Sequence, residues 1–475
     1  MKKQRITAFI MIFALLINLL ALNITVSAAT PVYLSLGDSI AAGYGLNNPK
    51  TEGYAYLMSK DRYNLVDAAV SGYDTGDLLK QLSDTSAANK DLQSAMTNAS
   101  LITVSIGGNN ILKQLTEVFG NINPDEISGL IGNIDNPNNL SLTDMLSVFG
   151  MFSKYFTSGT NENANLTKAL DKSIEQFKSD MDNIINILTK NKNTAIVFLT
   201  VYNPFKSFGS YIKGLNETAE KYIGEINKII YEKSVGNYIV ADAYTAFKDS
   251  AQAVSNANLM SMDIDVHPNI AGHKLIYKKI ANSIGLSVYF NDMAGDAWAV
   301  EYADDLYDLG IMFGTNAQKK EFSPKAELKN CDLAVLLVRT LKLKITDSDV
   351  AGVNLPFSDA DKIESYALNS VKACYKAGLY NQLYPAGKTY EFDPQKSARR
   401  IDVAVMVVQI IDKSKWTNKK LVYTDLNGVS ETYYPALSTL YDFGIMTGSP
   451  DKTLNPFGGL TRAQVAKILY TILKI

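Results

Sequence analysis

The chain has 475 residues, of which 47% are hydrophobic and 20% are charged. At roughly 150 residues per domain this length predicts two to four domains, and the composition excludes a disordered protein. The 46 basic and 48 acidic residues nearly cancel, which argues against general nucleic-acid binding, because nothing supplies a strong attraction to phosphate. With only two histidines, His267 and His273, and two cysteines, neither a multi-histidine metal centre nor a disulfide framework is expected.

Residues 1–28 have the features of a secretory signal peptide. Three of the first five residues are basic, an uncharged apolar stretch covers Ile6–Val26, and Val26–Ala28 has the small-residue pattern that signal peptidase cleaves after. The stretch is also long enough, at about 20 residues, for an uncleaved membrane anchor. Asn18 and Asn23 inside it, together with the cleavage pattern, favour removal. We therefore expect an exported chain with no stable membrane anchor after cleavage.

Between residues 30 and 287, short apolar segments alternate with amphipathic ones. The predicted strands are apolar almost throughout, as strands buried on both faces are: Val32–Leu36, Leu65–Val70, Leu101–Ile106, Ala195–Val201 and Tyr238–Ala241. Helical periodicity is clearest over Leu166–Leu188, Leu215–Lys233 and Ala271–Ile284. This alternation predicts a parallel sheet covered by helices on both faces, with functional loops at the carboxyl ends of its strands.

An insert over about 113–165 interrupts this alternation. It contains an Asn- and Gly-rich piece, Gly120–Asn139, between two short amphipathic pieces. A long excursion beside a strand end can be a lid over a binding site, or it can be a passive surface insertion. The sequence favours neither alternative.

An internal repeat begins at residue 289, where three segments over 289–342, 353–413 and 421–475 share one skeleton. Each segment has an aromatic residue two positions before an aspartate, namely Asp292, Asp359 or Asp425. Each continues with a helix that ends at a glycine, a turn of the form x-x-Pro, and a second apolar helix. Three such helical units stack to share a core that none could build alone.

These segments resemble S-layer homology (SLH) repeats. The third has Leu460–Gln464 at the family's Thr-Arg-Ala-Glu position, with Arg462 as its arginine; the second keeps Arg400, and the first has Lys329–Asp332 and lacks the arginine. The resemblance implies an all-α domain that binds anionic secondary cell-wall polysaccharide on a Gram-positive surface. Arg400 and Arg462 are the implied ligands, since a guanidinium group offers a planar fork of donors to a carboxylate. The alternative is that each is an ordinary surface residue at a helix start.

Four segments of the first half carry residue types suited to acyl transfer. Ser39 lies just past the first strand, where an exposed nucleophile can sit. Gly72, after the second strand, can expose its backbone N–H, and Asn109, after the third, offers an amide donor. His267, before the last helix, can act as a base, and we expect a structural role for His273. Each segment alone is an ordinary turn, but together they supply a nucleophile, oxyanion donors and a base in order.

Residues 31–285 resemble the GDSL or SGNH hydrolase family, whose secreted Gram-positive branch has signatures similar to Ile106–Asn110 and Tyr202–Phe205. The first signature departs from the family at Asn110, where the family usually has aspartate. The resemblance implies a flavodoxin-like three-layer α/β/α sandwich. It also implies that Ser39 is the nucleophile, that His267 is the base, and that Asn109 contributes its side chain to the oxyanion hole. The remaining oxyanion donors are the backbone N–H groups of Ser39 and Gly72. No metal or organic cofactor is implied.

The sequence departs from the family at the catalytic acid, because the position three residues before the histidine is Ile264. Asp265 lies two residues before His267, and Asp263 lies four before it. Residues two apart in an extended segment point the same way, so the spacing favours Asp265, whereas Asp263 would need a turn. A third possibility is that a backbone carbonyl orients the ring.

We therefore expect a secreted, cell-wall-anchored serine esterase that acts on acyl esters of lipid or of O-acylated glycan. One alternative is a non-catalytic glycan-binding or structural surface protein with a degenerate hydrolase domain, which the displaced carboxylate would favour. Another is a membrane-anchored lipase, if the apolar N-terminal stretch stays uncut. Cys331 and Cys374 lie in apolar helical contexts and are expected to be buried thiols.

Overall fold

The computed structural model describes residues 30–120, 150, 152–206, 212–256 and 265–475. The chain divides into two compact units, and the boundary between them falls between Tyr277 and Lys278. The change in sequence character lies slightly later, at 287–289. The predicted signal peptide over 1–28, and residues 121–149 of the predicted insert, lie outside the described residues.

The first unit contains a sheet of five parallel strands. They are β1 (Val32–Gly37), β2 (Asn64–Asp67), β3 (Ala99–Ser105), β4 (Ala195–Leu199) and β5 (Ile239–Ala241). Their order across the sheet is β2-β1-β3-β4-β5, which is the flavodoxin-like order and agrees with the predicted fold class. The second strand ends at Asp67 and not at Val70 as predicted, although the N–H of Val70 still donates to the carbonyl of Gly37 at 2.9 Å.

Helices connect the strands of this half of the chain. They are α1 (Pro49–Glu52), α2 (Tyr54–Ser59), α3 (Thr75–Ser83), α4 (Lys90–Asn98), α5 (Gly108–Gly120), α6 (Asn161–Leu188), α7 (Leu215–Ser234), α8 (Ala243–Asp249) and α9 (Ile270–Ser283). The two ends of the predicted insert thus belong to α5 and α6. Among the helices of the described residues, none has both the length and the apolar character that crossing a membrane requires.

Apolar side chains are buried on both faces of the sheet, which explains why its strands read as unbroken apolar runs. On one face, Leu34 and Leu36 of β1 share a core with Phe177 of α6 and Ile226 of α7. Alternation along the strand turns Tyr33 to the other face, where it is also fully buried. The unit is therefore a three-layer α/β/α sandwich.

The second unit is helical. Its main helices are α10 (Val300–Asp308), α11 (Asn330–Leu341), α12 (Ser365–Lys376), α13 (Arg400–Val407), α14 (Tyr434–Asp442) and α15 (Arg462–Ile472). The second helix of the middle segment, α13, ends at Val407, and a 3₁₀ turn over Val408–Ile410 follows it. One continuous apolar core joins all three segments, and it includes Cys331 and Cys374, which are both buried free thiols as predicted.

The three segments of this unit repeat the same turn. In each, the aspartate after the aromatic residue accepts hydrogen bonds from two successive backbone N–H groups, and the second donor has a left-handed backbone although it is not glycine. The donors are Phe322 and Ser323 for Asp292, Phe392 and Asp393 for Asp359, and Leu454 and Asn455 for Asp425, at 2.7–2.9 Å. These bonds to a charged acceptor offset the strain of a positive φ, so the aspartate holds the turn that precedes each second helix.

The segments are joined to one another by a closed ring of backbone hydrogen bonds. The N–H of Leu328 donates to Leu460, that of Leu460 to Ala398, and that of Ala398 to Leu328, at 2.9, 3.0 and 2.8 Å. All three residues are buried. Because the ring needs one donor and one acceptor from each segment, it closes only when three copies are present.

We expect Asp359→Ala to destabilise the second unit. The carboxylate is buried, and its loss leaves two backbone donors without their charged acceptor, which should lower the free energy of unfolding by about 3 kcal/mol. Scanning calorimetry measures the change in the transition of this unit. Asp361→Ala, at an exposed position two residues away, should leave that transition nearly unchanged. Equal transitions for the two variants would show that the aspartate is not what holds the turn.

Candidate active site

The candidate nucleophile lies where β1 ends against β3. Gly37 closes β1 with φ +127°, and a Cβ there would stand 1.9 Å from the carbonyl oxygen of Ser105. The next N–H, that of Asp38, donates to the same oxygen at 2.9 Å. Only glycine fits this approach, and it brings Ser39 out at the carboxyl edge of the sheet, with a small exposed area.

His267 lies between the serine and a carboxylate. Its Nε2 is 2.8 Å from Ser39 Oγ, and its Nδ1 is 2.5 Å from Asp265 Oδ1. The backbone N–H of His267 donates to the same carboxylate oxygen at 3.1 Å. The structure thus brings Asp265 beside the ring, as the spacing of two residues favours. Asp263, the alternative acid, lies outside the described residues, as does Ile264.

Two residues that the sequence analysis did not assign hold this loop in place. Asn256 donates from Nδ2 to the second carboxylate oxygen of Asp265 at 2.8 Å, and its backbone N–H donates to the carbonyl of His267 at 2.9 Å. The hydroxyl of Tyr202, which is buried, donates to the carbonyl of Val266 at 2.6 Å. Tyr202 belongs to the Tyr202–Phe205 signature, whereas no pattern in the sequence distinguished Asn256.

The electrostatics of the loop suit a carboxylate that stays ionised. Partial burial raises the pKa of Asp265, but the hydrogen bonds from His267 and Asn256 outweigh burial, and the net shift is downward. An ionised Asp265 accepts a hydrogen bond from the Nδ1–H group of His267, which leaves the Nε2 lone pair directed at the serine hydroxyl.

His273 is a buried structural residue. Its Nδ1 accepts a hydrogen bond from the backbone N–H of Tyr54 at 3.3 Å, which ties α9 to α2. Burial, with a smaller contribution from the charge of His267, lowers the pKa of His273 to about 4. The ring is therefore neutral at physiological pH.

The predicted oxyanion donors follow β2 and β3. Gly72 has φ +85°, and no atom lies within 4 Å of the place where its Cβ would stand, so this stretch of backbone is open. Asn109, in the first turn of α5, donates from Nδ2 to the carbonyl of Tyr73 at 2.9 Å. That bond fixes the Asn109 amide against the loop that carries Gly72.

Asn110 takes part in a buried network behind this loop. It accepts from the N–H of Thr75 at 3.2 Å and donates to the hydroxyl of Thr75 at 2.9 Å. The same hydroxyl donates to Asp180 at 2.8 Å. An amide offers both donor and acceptor here, which a carboxylate at this position would not.

A largely apolar pocket adjoins Ser39 and His267. Its apolar walls come from α5, from the segment after β4 and from α7; the residues are Ile111, Leu112, Val201, Pro204, Phe205 and Ile223. Asp38 also lines it. Within the described part of the chain, no group of three or more histidine, cysteine, aspartate or glutamate side chains could hold a metal ion.

The two arginines of the second unit differ in their surroundings. The guanidinium of Arg462 donates to the carbonyls of Phe322 and Phe313 at 2.8 and 2.6 Å, and it lies over the ring of Phe322. Arg400 makes one long contact, from Nη2 to Gln464 Oε1 at 3.4 Å, and its buried Nε has no hydrogen-bond partner. Thus Arg462 is engaged within the protein, whereas Arg400 retains donor capacity.

Comparison with known proteins gives matches to both halves. The model of the GDSL-like lipase/acylhydrolase family matches residues 35–275, and the S-layer homology domain model matches residues 356–404 and 422–466. The first segment, 289–342, lies outside those SLH matches. It nevertheless has the same aspartate turn, and its Leu328 takes part in the ring of backbone hydrogen bonds.

Among curated proteins, an endoglucanase of a Bacillus species is 28% identical over 189 residues, which are 39% of this chain and 18% of that protein. An uncharacterized protein of Bacillus subtilis, YpmR, is 24% identical over 268 residues, 53% of this chain and 81% of that protein. The chain thus spans less than a fifth of the length of the endoglucanase.

Among solved structures, a lipase from a goat rumen metagenome covers 54% of this chain and 97% of its own, with a TM-score of 0.36 and 18% identity. A mutant of an acetyl-xylooligosaccharide esterase from Geobacillus covers 54% and 95%, with a TM-score of 0.32 and 15% identity.

We expect Asp38→Asn to change how stability depends on pH. Burial raises the pKa of Asp38 to about 7, although hydrogen bonds from the Ile40 N–H and Ser105 Oγ oppose the shift. Folding therefore favours the neutral acid, and stability is lost as the pH rises from about 4 to about 7, at about 1.4 kcal/mol per unit. Asn is always neutral and should remove this slope.

Urea unfolding at several pH values, followed in the transition of the first unit, measures the effect. The control is Asp91→Asn, at an exposed position of α4, which should keep the wild-type slope. The same slope in Asp38→Asn as in the wild type would mean that Asp38 ionises without a cost in folding.

Proposed function

Because the chain belongs to the GDSL-like lipase/acylhydrolase family, we propose that it is a cell-surface serine esterase that hydrolyses acyl esters. The observation that carries the proposal is the continuous contact from Ser39 through His267 to Asp265, at 2.8 and 2.5 Å. These three side chains have the residue types and the mutual geometry of a nucleophile, a base and its orienting acid.

In the proposed first half-reaction, Ser39 Oγ attacks the ester carbonyl while His267 Nε2 takes the hydroxyl proton. The backbone N–H groups of Ser39 and Gly72, with the amide of Asn109, donate to the oxyanion that forms. His267 then gives its proton to the departing alcohol oxygen, and the acyl group remains on Ser39. Asp265 stabilises the imidazolium while it exists.

In the second half-reaction, water takes the place of the alcohol. His267 removes a proton from the water as it attacks the acyl-enzyme, and the same donors hold the second oxyanion. The carboxylic acid leaves, and Ser39 regains its proton from His267. The apolar pocket beside Ser39 suits the hydrocarbon part of the acyl group, because burial of that surface is favourable.

The non-catalytic alternative has little support from the geometry of the site. The feature that would favour this alternative is the position of Asp265, which lies one residue away from the family's catalytic acid. Asp265 nevertheless contacts Nδ1 of His267, and Asn256 binds the far side of the same carboxylate. A glycan-binding protein that had lost catalysis would have no use for this arrangement.

We further propose that the SLH repeats attach the enzyme to secondary cell-wall polysaccharide after export by the N-terminal segment 1–28. Arg400 is the stronger candidate ligand of the two arginines, since the residue is partly exposed and its guanidinium group makes a single long hydrogen bond, from Nη2 to Gln464. Arg462 would act mainly as a structural residue, because two carbonyl groups already accept from its guanidinium.

The esterase proposal predicts graded losses of activity. Ser39→Ala should lower kcat/KM for p-nitrophenyl acetate and butyrate by about 10⁴-fold or more, because the nucleophile is lost. Asp265→Asn should lower it by about 10²–10⁴-fold, because this variant keeps the nucleophile, the base and the oxyanion donors. A fluorophosphonate probe should label the wild type and not Ser39→Ala. Ser94→Ala, at an exposed position of α4, is the matched control and should behave as the wild type.

Hydrolysis by Ser39→Ala at the wild-type rate would contradict the assignment of the nucleophile. A folded wild-type protein with neither hydrolysis nor labelling would overturn the esterase proposal in favour of a binding role.

For wall attachment, we expect Arg400→Gln to weaken co-sedimentation of the chain with isolated Gram-positive cell walls by about tenfold, because a desolvated charge-assisted contact is lost. Lys413→Gln removes the same charge from an exposed position of the same repeat and should change little. If both variants sediment alike, Arg400 does not bind the wall polymer.

A further inference from the structure

Tyr44 is a half-exposed aromatic residue beside the candidate catalytic pair. Its ring centroid is 4.6 Å from that of His267, and 56% of the residue is exposed. Its N–H donates to the carbonyl of Ser39 at 2.9 Å. The next residue, Gly45, has φ +84° and lies so close to Asp265 that a Cβ would stand 2.9 Å from its carboxylate. The turn after β1 therefore holds the Tyr44 ring against the loop that carries Asp265 and His267.

The chemistry of the reaction assigns a direction to each substituent of the tetrahedral intermediate. The acyl chain fits the apolar pocket, and the oxyanion faces the Gly72 and Asn109 donors. The leaving oxygen must then lie at His267 Nε2, which protonates it. Tyr44 lies outside the lining of the apolar pocket and packs on His267, so it stands on the side of the departing alcohol.

The surroundings of Tyr44 suit a sugar ring. A pyranose presents one face of C–H groups, which packs on an aromatic ring while its hydroxyl groups stay with water, and a half-exposed tyrosine is amphipathic in the same way. The exposed residues that follow are Gly45, Asn47 and Asn48, and the two amides can bond to hydroxyl groups. A lipid surface would instead call for a contiguous apolar patch, whereas the exposed residues described in this turn, apart from Tyr44, are glycine and asparagine.

Resting on the esterase function proposed above, we propose that Tyr44 determines specificity by stacking on the pyranose ring that carries the ester, so that O-acylated glycan is the substrate class. The reaction consumes one water for each ester, and it yields the carboxylic acid and the free sugar hydroxyl.

Three acetates that share the acyl group but differ in the alcohol test this proposal: ethyl acetate, glyceryl triacetate and the tetraacetate of methyl glucoside. With the full chain, we expect Tyr44→Ala to lower kcat/KM for the sugar acetate by about tenfold more than for the other two, mainly through KM. Tyr44→Phe and Tyr44→Trp keep the ring and should retain the preference. Ser39→Ala defines the background for each ester.

The outcomes separate the two proposals. If no acetate is hydrolysed in a Ser39-dependent manner, the esterase function itself fails. If Tyr44→Ala lowers kcat/KM equally for all three acetates, Tyr44 only positions His267, and the sugar-stacking role is overturned. Unchanged rates on all three acetates overturn it as well. A selective loss on glyceryl triacetate would point to a glycerolipid and would equally contradict the proposal.

Discussion

The close approach of β1 to β3 at their carboxyl ends is the constraint on which the rest of the site depends. The absent side chain of Gly37 lets the Ser105 carbonyl accept from the next N–H, and this fixes the direction in which the chain leaves the sheet. The positions of Ser39 and of the turn that carries Tyr44 depend on this direction. Asn109 follows the end of β3, so that the proposed nucleophile and the proposed oxyanion donor lie at the same edge of the sheet. A side chain at Gly37 would disturb both.

The loop that carries Asp265 and His267 reaches the same edge of the sheet from a distant part of the chain. Its backbone is held in short antiparallel contact with Val254–Asn256, where N–H groups on each side donate across. A local turn explains why an acid two residues from the histidine can contact its ring. Asp265 Oδ1 accepts from the backbone N–H of His267 and also contacts Nδ1 of that residue, and Asn256 fixes the carboxylate from behind.

Most of the fold could be predicted from the sequence, because buried parallel strands and helix faces leave strong local patterns. The same holds for the places of Ser39, Gly72 and Asn109, each of which follows a strand, and of His267, which precedes α9. Contacts between segments far apart in sequence, such as that of Asn256 with Asp265, leave no such pattern. The same is true of the raised pKa of Asp38, which results from burial of its carboxyl group beside Ser39 and not from any sequence motif.

The repeats give a second case in which the sequence does not predict the contacts of a residue. Arg400 and Arg462 occupy equivalent positions of one motif, so the sequence treats them alike. Their environments differ because each of these helices begins beside the next segment around the ring. Arg462 donates to the carbonyls of Phe313 and Phe322 in the first segment, whereas Arg400 donates to Gln464 in the third. In a closed ring of unequal repeats, an arginine that ties two segments together has fewer donors left for a ligand. The arginine of the segment that departs least from the motif is therefore the one with fewer free donors.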